Sequence, residues 1–194
     1  MIKNKYVLTL LSLAVVSFPS LAVTLSEGGT LTFSGAISDT TCTINQGASS
    51  SLTVVLNPIT VTDAGTTANT LITKHQKPFD LTFSDCAPAS ATGSNLKIYF
   101  SSARISNSGL YLTNMSVDES DPLVARNVGF SLSTAAAPTI PLQLNSGLDT
   151  GLTGTSTGGA FETLSLVASY YKTAAAAATP GAVESSVIYT ISYL

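Results

Sequence analysis

The chain has 194 residues, enough for one domain or two small ones. Charged residues make up 10% and apolar residues 44%, while serine and threonine number 27 each, so hydroxyls supply most of the polarity. With 8 Lys plus Arg against 11 Asp plus Glu and no basic cluster, a phosphate-neutralising nucleic-acid footprint is excluded, and one His with two Cys is too few for a four-ligand Cys/His zinc site.

Met1–Ala22 carries the marks of an export signal. Lys3 and Lys5 give a positive start, Tyr6–Val16 an apolar run too short to span a bilayer, and Pro19 a break. Ser20-Leu21-Ala22 then presents small residues where a signal peptidase cuts. Cleavage after Ala22 removes two positive charges, and no later segment approaches 18 consecutive apolar residues. Export permits a disulfide. Cys42 and Cys86 are the only cysteines, so one intrachain pairing exists, and their spacing is not that of a C-x-x-C redox pair.

The exported chain begins with an amphipathic strand. Val23, Leu25, Gly29, Leu31 and Phe33 share one face, with Glu27 interrupting; Thr24, Ser26, Gly28, Thr30 and Thr32 share the other. Such a terminal strand frays unless its apolar face finds a groove. Alternation continues over 31–44 and shifts near Ser38–Thr41, which predicts a bulge or a change of sheet. Further strands are predicted at Leu52–Leu56, Phe79–Ser84, Leu96–Phe100, Val128–Leu132, Leu164–Tyr171 and Val187–Tyr193. About seven short strands predict an all-β sandwich. A helical turn is predicted within Ala64–Lys74, a Gly/Thr-rich surface loop over Gly147–Gly159, and a loop or strand extension at Ala174–Ala178 before Pro180-Gly181.

Several sharper motifs yield to plainer readings. Gly154–Gly158 fits G-x-S-x-G, but a strand is predicted after it and the sole histidine, His75, lies upstream, so no nucleophile elbow is expected. His75 is read as a solvated loop residue. Asp118, Glu119 and Asp121 lack EF-hand spacing and read as an acidic turn, and Asn114-Met115-Ser116 is a formal glycosylation sequon. No catalytic residue, cofactor or metal site is expected.

The C-terminal strand stands out. Val187, Tyr189, Ile191 and Tyr193 alternate on one face, the given sequence stops at Leu194, and the only lysine after Tyr171 is Lys172. An apolar strand edge without protecting charge is a pairing hazard, so another segment or another molecule is expected to cover it.

GGTLTFSGAISDTTCTINQG at 28–47, FDLTFSDC at 79–86, VGFSLS at 128–133 and YYKTAAAAATPGAVESSVIYTISYL at 170–194 carry a resemblance. The chain resembles the major-type structural subunits of chaperone–usher fimbriae, the type 1 and P pilus pilins. The C-terminal pattern of Gly181, alternating apolar residues and penultimate Tyr193 is its most specific part.

The resemblance implies an incomplete immunoglobulin-like β-sandwich lacking its last strand and completed by donor-strand complementation. It divides the chain into a signal peptide (1–22), a donor extension (23–34) and a pilin domain (35–194). Leu25, Gly29, Leu31 and Phe33 would form the donor strand, Gly29 sitting where the groove is shallow. Gly181, Val187, Tyr189, Ile191, Tyr193 and Leu194 would form the groove strand that chaperone and neighbour contact, and Cys42 and Cys86 match the family disulfide. The implied partners are a periplasmic fimbrial chaperone, an outer-membrane usher, and other copies of the chain and related subunits, in a fimbria on the bacterial surface that supports adhesion. A minor tip or adaptor subunit is the alternative; a single-domain carbohydrate-binding adhesin fits less well, because the chain leaves no room for a second lectin domain.

Overall fold

The computed structural model describes residues 37, 40–87, 95–115, 123–156 and 158–193. The signal segment, the extension 23–34, the acidic turn at 118–121 and Leu194 lie outside the described residues.

Among the described residues, eight strands form two sheets. Strands β1 (Thr41–Ile44), β2 (Thr70–Ala87), β4 (Leu112–Thr113), β5 (Val128–Thr134) and β7 (Glu162–Lys172) make one, in the order β1-β2-β7-β5-β4; β3 (Lys97–Ser101), β6 (Leu148–Asp149) and β8 (Ile188–Ser192) make the other, in the order β6-β3-β8. All ladders between these strands are antiparallel. Leu81, Phe83, Leu164 and Leu166 from the larger sheet meet Ile98 and Ile191 from the smaller one in the main core. This is an incomplete immunoglobulin-like sandwich, with its last strand missing beside β8 among the described residues.

Strand β7 explains why part of the sequence does not alternate. Leu164, Leu166 and Ala168 enter the core between the sheets. Val167, Ser169 and Tyr171 point the other way yet are also buried. Loops cover that outer face: Tyr111 stacks on Tyr171 at 4.8 Å, Ser131 Oγ donates to the Leu110 carbonyl, and Gln76 Nε2 donates to Ser169 Oγ and the Pro138 carbonyl. A strand covered on both faces reads as a continuous apolar run. The hydroxyl-rich composition therefore also serves the interior: Ser131, Ser133 and Ser169 are fully buried.

At the end of β7, Lys172 is fully buried. Its ammonium donates to the carbonyls of Ala174 and Ala176, and burial pushes its pKa below the usual lysine range. A buried charge requires such partners. The alanine run bends its carbonyls toward Lys172 and forms a loop despite its high helix propensity.

Four sequence expectations are corrected. The helix is a single turn, α1 (Val61–Ala64), and Thr70–Lys74 belongs to β2. A capping box fixes its start: Asp63 N–H donates to Thr60 Oγ1 while Thr60 N–H donates to the Asp63 carboxylate. Lys74 Nζ, 2.8 Å away, and Thr60 hold the Asp63 carboxyl well below the usual carboxylate range. His75 is exposed but lies in β2, at a register shift between Ile72 and Lys77 with φ +58°. Its Nδ1–H donates to the Pro58 carbonyl at 2.9 Å, so the bulge inserted by the polar run interrupts the pairing without ending the strand. Leu52–Leu56 joins no ladder among the described residues, although Val54 and Leu56 pack into the core beside Val187. Finally, Gly147–Gly159 is not wholly a surface loop, since it contains β6 and buries Gly154.

Candidate functional site

Strand β8 is positioned by one neighbour. It pairs with β3 through Ile188↔Ser101, Tyr189↔Phe100, Thr190↔Tyr99, Ile191↔Ile98 and Ser192↔Lys97, and it ends its sheet among the described residues. Alternation sends Tyr189, Ile191 and Tyr193 into the main core, while Val187 joins a second cluster with Val54, Leu56 and Phe100. Half-buried Val187, Ile188, Tyr189 and Thr190 leave this part of the strand only partly covered.

The two tyrosines pin β8 at both ends. Tyr189 Oη donates to the Ser50 carbonyl and Tyr193 Oη to the Thr153 carbonyl, each at 2.6 Å. Burial raises the Tyr189 phenol above its ordinary pKa, so that phenol remains a donor across physiological pH. Segment 50–56 thus forms one wall beside β8 and the loop after β6 holds its far end. A strand edge with an apolar inward face between fixed walls can accept an added strand, through ladder hydrogen bonds and side-chain pockets.

Gly181 lies outside β8. Its backbone has φ +148°, and a Cβ there would fall 2.4 Å from both Ala125 N and Val124 C. Ala125 N–H donates to the Ala182 carbonyl and Ala182 N–H to the Leu123 carbonyl, bringing the two backbones together. Gly181, Ala178 and Val183 also border an apolar cavity of about 560 Å³ over Ile59, Ala64 and Tyr170. Gly181→Val is expected to cost about 2–4 kcal/mol, from positive-φ strain plus overpacking. Urea denaturation checks this; a loss below about 0.5 kcal/mol, the range of ordinary surface substitutions, would contradict it.

The Gly154–Gly158 motif is not an elbow. Strand β7 follows it, Ser156 Oγ donates to Glu162, and the His75 ring is engaged with Pro58. Cys42 and Cys86 form the disulfide and tie β1 to β2. Leu25, Gly29, Leu31, Phe33 and Leu194 lie outside the described residues. Among those described, no helix is long and apolar enough to cross a membrane, and no group of three metal-ligating side chains occurs.

Sequence reasoning missed the pinning partners. Ser50 and Thr153 act through backbone carbonyls, which leave no residue-type signature.

A family model described as Fimbrial protein matches residues 31–194. A structure from a chaperone–usher pilus, solved in connection with rod uncoiling, is 16% identical with a TM-score of 0.56, covering 87% of this chain and 97% of that one. The P pilus rod subunit PapA is 17% identical with a TM-score of 0.49, covering 85% and 100%. A Burkholderia pseudomallei antigen and type I fimbria protein is 17% identical with a TM-score of 0.45, covering 77% and 85%. No curated protein matches the sequence.

Proposed function

The chain belongs to the fimbrial protein family and is a structural subunit of a cell-surface pilus, and from that premise we propose that it polymerises by donor-strand exchange. The observation that carries this reading is the terminal place of β8 in its sheet among the described residues, with Val187, Tyr189 and Ile191 turned inward near the segment that contributes Val54 and Leu56. The extension Val23–Phe33 has the complementary form, an alternating strand with one apolar face. In this reading a periplasmic chaperone first covers β8. At an outer-membrane usher the extension of the next subunit then replaces the chaperone strand. Donation from head to tail uses two different surfaces and does not close, so it builds a filament. The chain acts by assembly and carries out no catalysis.

Gly29→Arg tests the pairing. Gly29 sits mid-extension on the apolar face, where an arginine side chain would have to enter the groove with its charge. The variant is expected to form its chaperone complex at wild-type yield and to stop adding to fibres in an electron-microscopy assay. Fibres of normal length and number would contradict the role of Gly29.

A further inference from the structure

The loop after β6 does more than close the sandwich. Glu162, the first residue of β7, accepts from Thr153 N–H at 2.7 Å, from Thr153 Oγ1 at 3.0 Å and from Ser156 Oγ at 3.2 Å. Burial raises its carboxyl pKa, but hydrogen bonding outweighs it and the net direction is downward.

The Thr153 bonds give this clamp a direction. Thr153 is held on both sides of its Cα: its N–H and hydroxyl donate to Glu162, and its carbonyl accepts the Tyr193 phenol at 2.6 Å. A hydrogen-bonded path thus runs from the Tyr193 hydroxyl, through one residue, to a carboxylate. Fixing the Thr153 main chain fixes where its carbonyl points. The loop has little freedom to shift: Cys86 N–H donates to the Gly154 carbonyl at 3.0 Å and Asp85 N–H to the Ser156 carbonyl at 2.9 Å. The Gly154 Cα also faces the disulfide so closely that a Cβ would fall 2.4 Å from Cys86 Sγ.

We propose that Glu162 is a positioning residue for the C-terminal strand, holding Thr153 so that Tyr193 fixes the end of β8 for the strand that docks beside it. This rests on the reading of β8 as the acceptor strand. A strand added along β8 requires that the register of β8 be set before docking, because a slip of one residue would turn Tyr189 and Ile191 out of the core.

The test uses the full exported chain carrying Glu162→Gln, Tyr193→Phe or both, with Asp149→Asn as a control. Asp149, the last residue of β6, is another carboxylate; it accepts from Gly151 N–H and Asn95 Nδ2, and neither bond involves Thr153. Glutamine keeps the shape of Glu162 but turns one acceptor into a donor facing donors. Each single clamp variant is expected to speed amide hydrogen exchange at Ile191–Tyr193 roughly tenfold, while the double variant adds less than about twofold. Amides of β5, remote from the loop, should change by less than about twofold in all of them, as local opening requires. Additive effects, equal acceleration in β5, or the same loosening in Asp149→Asn would each overturn the proposal. Fibre growth is measured on the same proteins. Exchange coupling without growth that depends on residues 23–33 would leave the clamp standing and remove the donor-strand reading. Extension-dependent growth without coupling would do the reverse.

Discussion

Removing the disulfide, by Cys42→Ser or Cys86→Ser, is expected to lower the unfolding free energy by about 2–5 kcal/mol. The cross-link closes a loop of 44 positions, for which the chain-entropy estimate is about 4 kcal/mol. The folded side points the same way. Strand β1 has four residues and, among the described residues, lies at the edge of its sheet, with a register irregularity between Thr41 and Thr43. Without the covalent tie, its few ladder bonds must resist fraying alone. Cys86 is buried among Leu81, Phe83 and Leu96, so a serine hydroxyl there loses water without an assigned partner. The measurement is urea denaturation of the wild type, each single variant and the Cys42→Ala/Cys86→Ala double variant. The double variant should be the mildest, since it removes the cross-link without burying a hydroxyl. A loss below about 1 kcal/mol in every variant would show that the loop constraint carries little of the stability, contrary to the entropic account.

Where the sequence was legible, one physical rule applied: a strand with one buried face alternates. Phe79–Ser84, Val128–Leu132 and Leu164–Tyr171 fall within β2, β5 and β7, and Leu96–Phe100 and Val187–Tyr193 lie within one residue of the ends of β3 and β8. The inward residues of β8 were readable for the same reason. Legibility failed where another interaction decided the backbone. Lys74-His75-Gln76-Lys77-Pro78 lacks alternation because it contains a bulge and an edge of exposed side chains, yet β2 runs through it. The helical turn was displaced because Thr60 and Asp63 cap a start before Ala64 and Gly65, at φ +69°, ends it. Strands β4 and β6 have two residues each, too few to show a period. Glu162 and Thr153 are nine positions apart and meet only because the loop folds back onto β7, so no local pattern records the clamp.

Deleting Val23–Phe33 is expected to abolish fibre extension while leaving the chaperone complex intact. The described core consists of three buried clusters built from residues 42–193. What the deletion removes is the apolar face of the proposed donor. Each of Val23, Leu25, Leu31 and Phe33 contributes roughly 1.5–3 kcal/mol when fully buried, and the ladder bonds of an added strand go with them. Truncating one anchor should therefore slow growth, whereas losing all of them should end it. The topology gives a second, quantitative outcome. A subunit that can accept a donor but cannot provide one fits only at one end of a head-to-tail chain. Mixed with wild type, the labelled truncated chain should appear at most once per fibre, at a terminus, at every mixing ratio. Immunogold labelling along the shaft, or growth by the truncated chain alone, would mean that subunits join through some other surface and that the extension is not the donor.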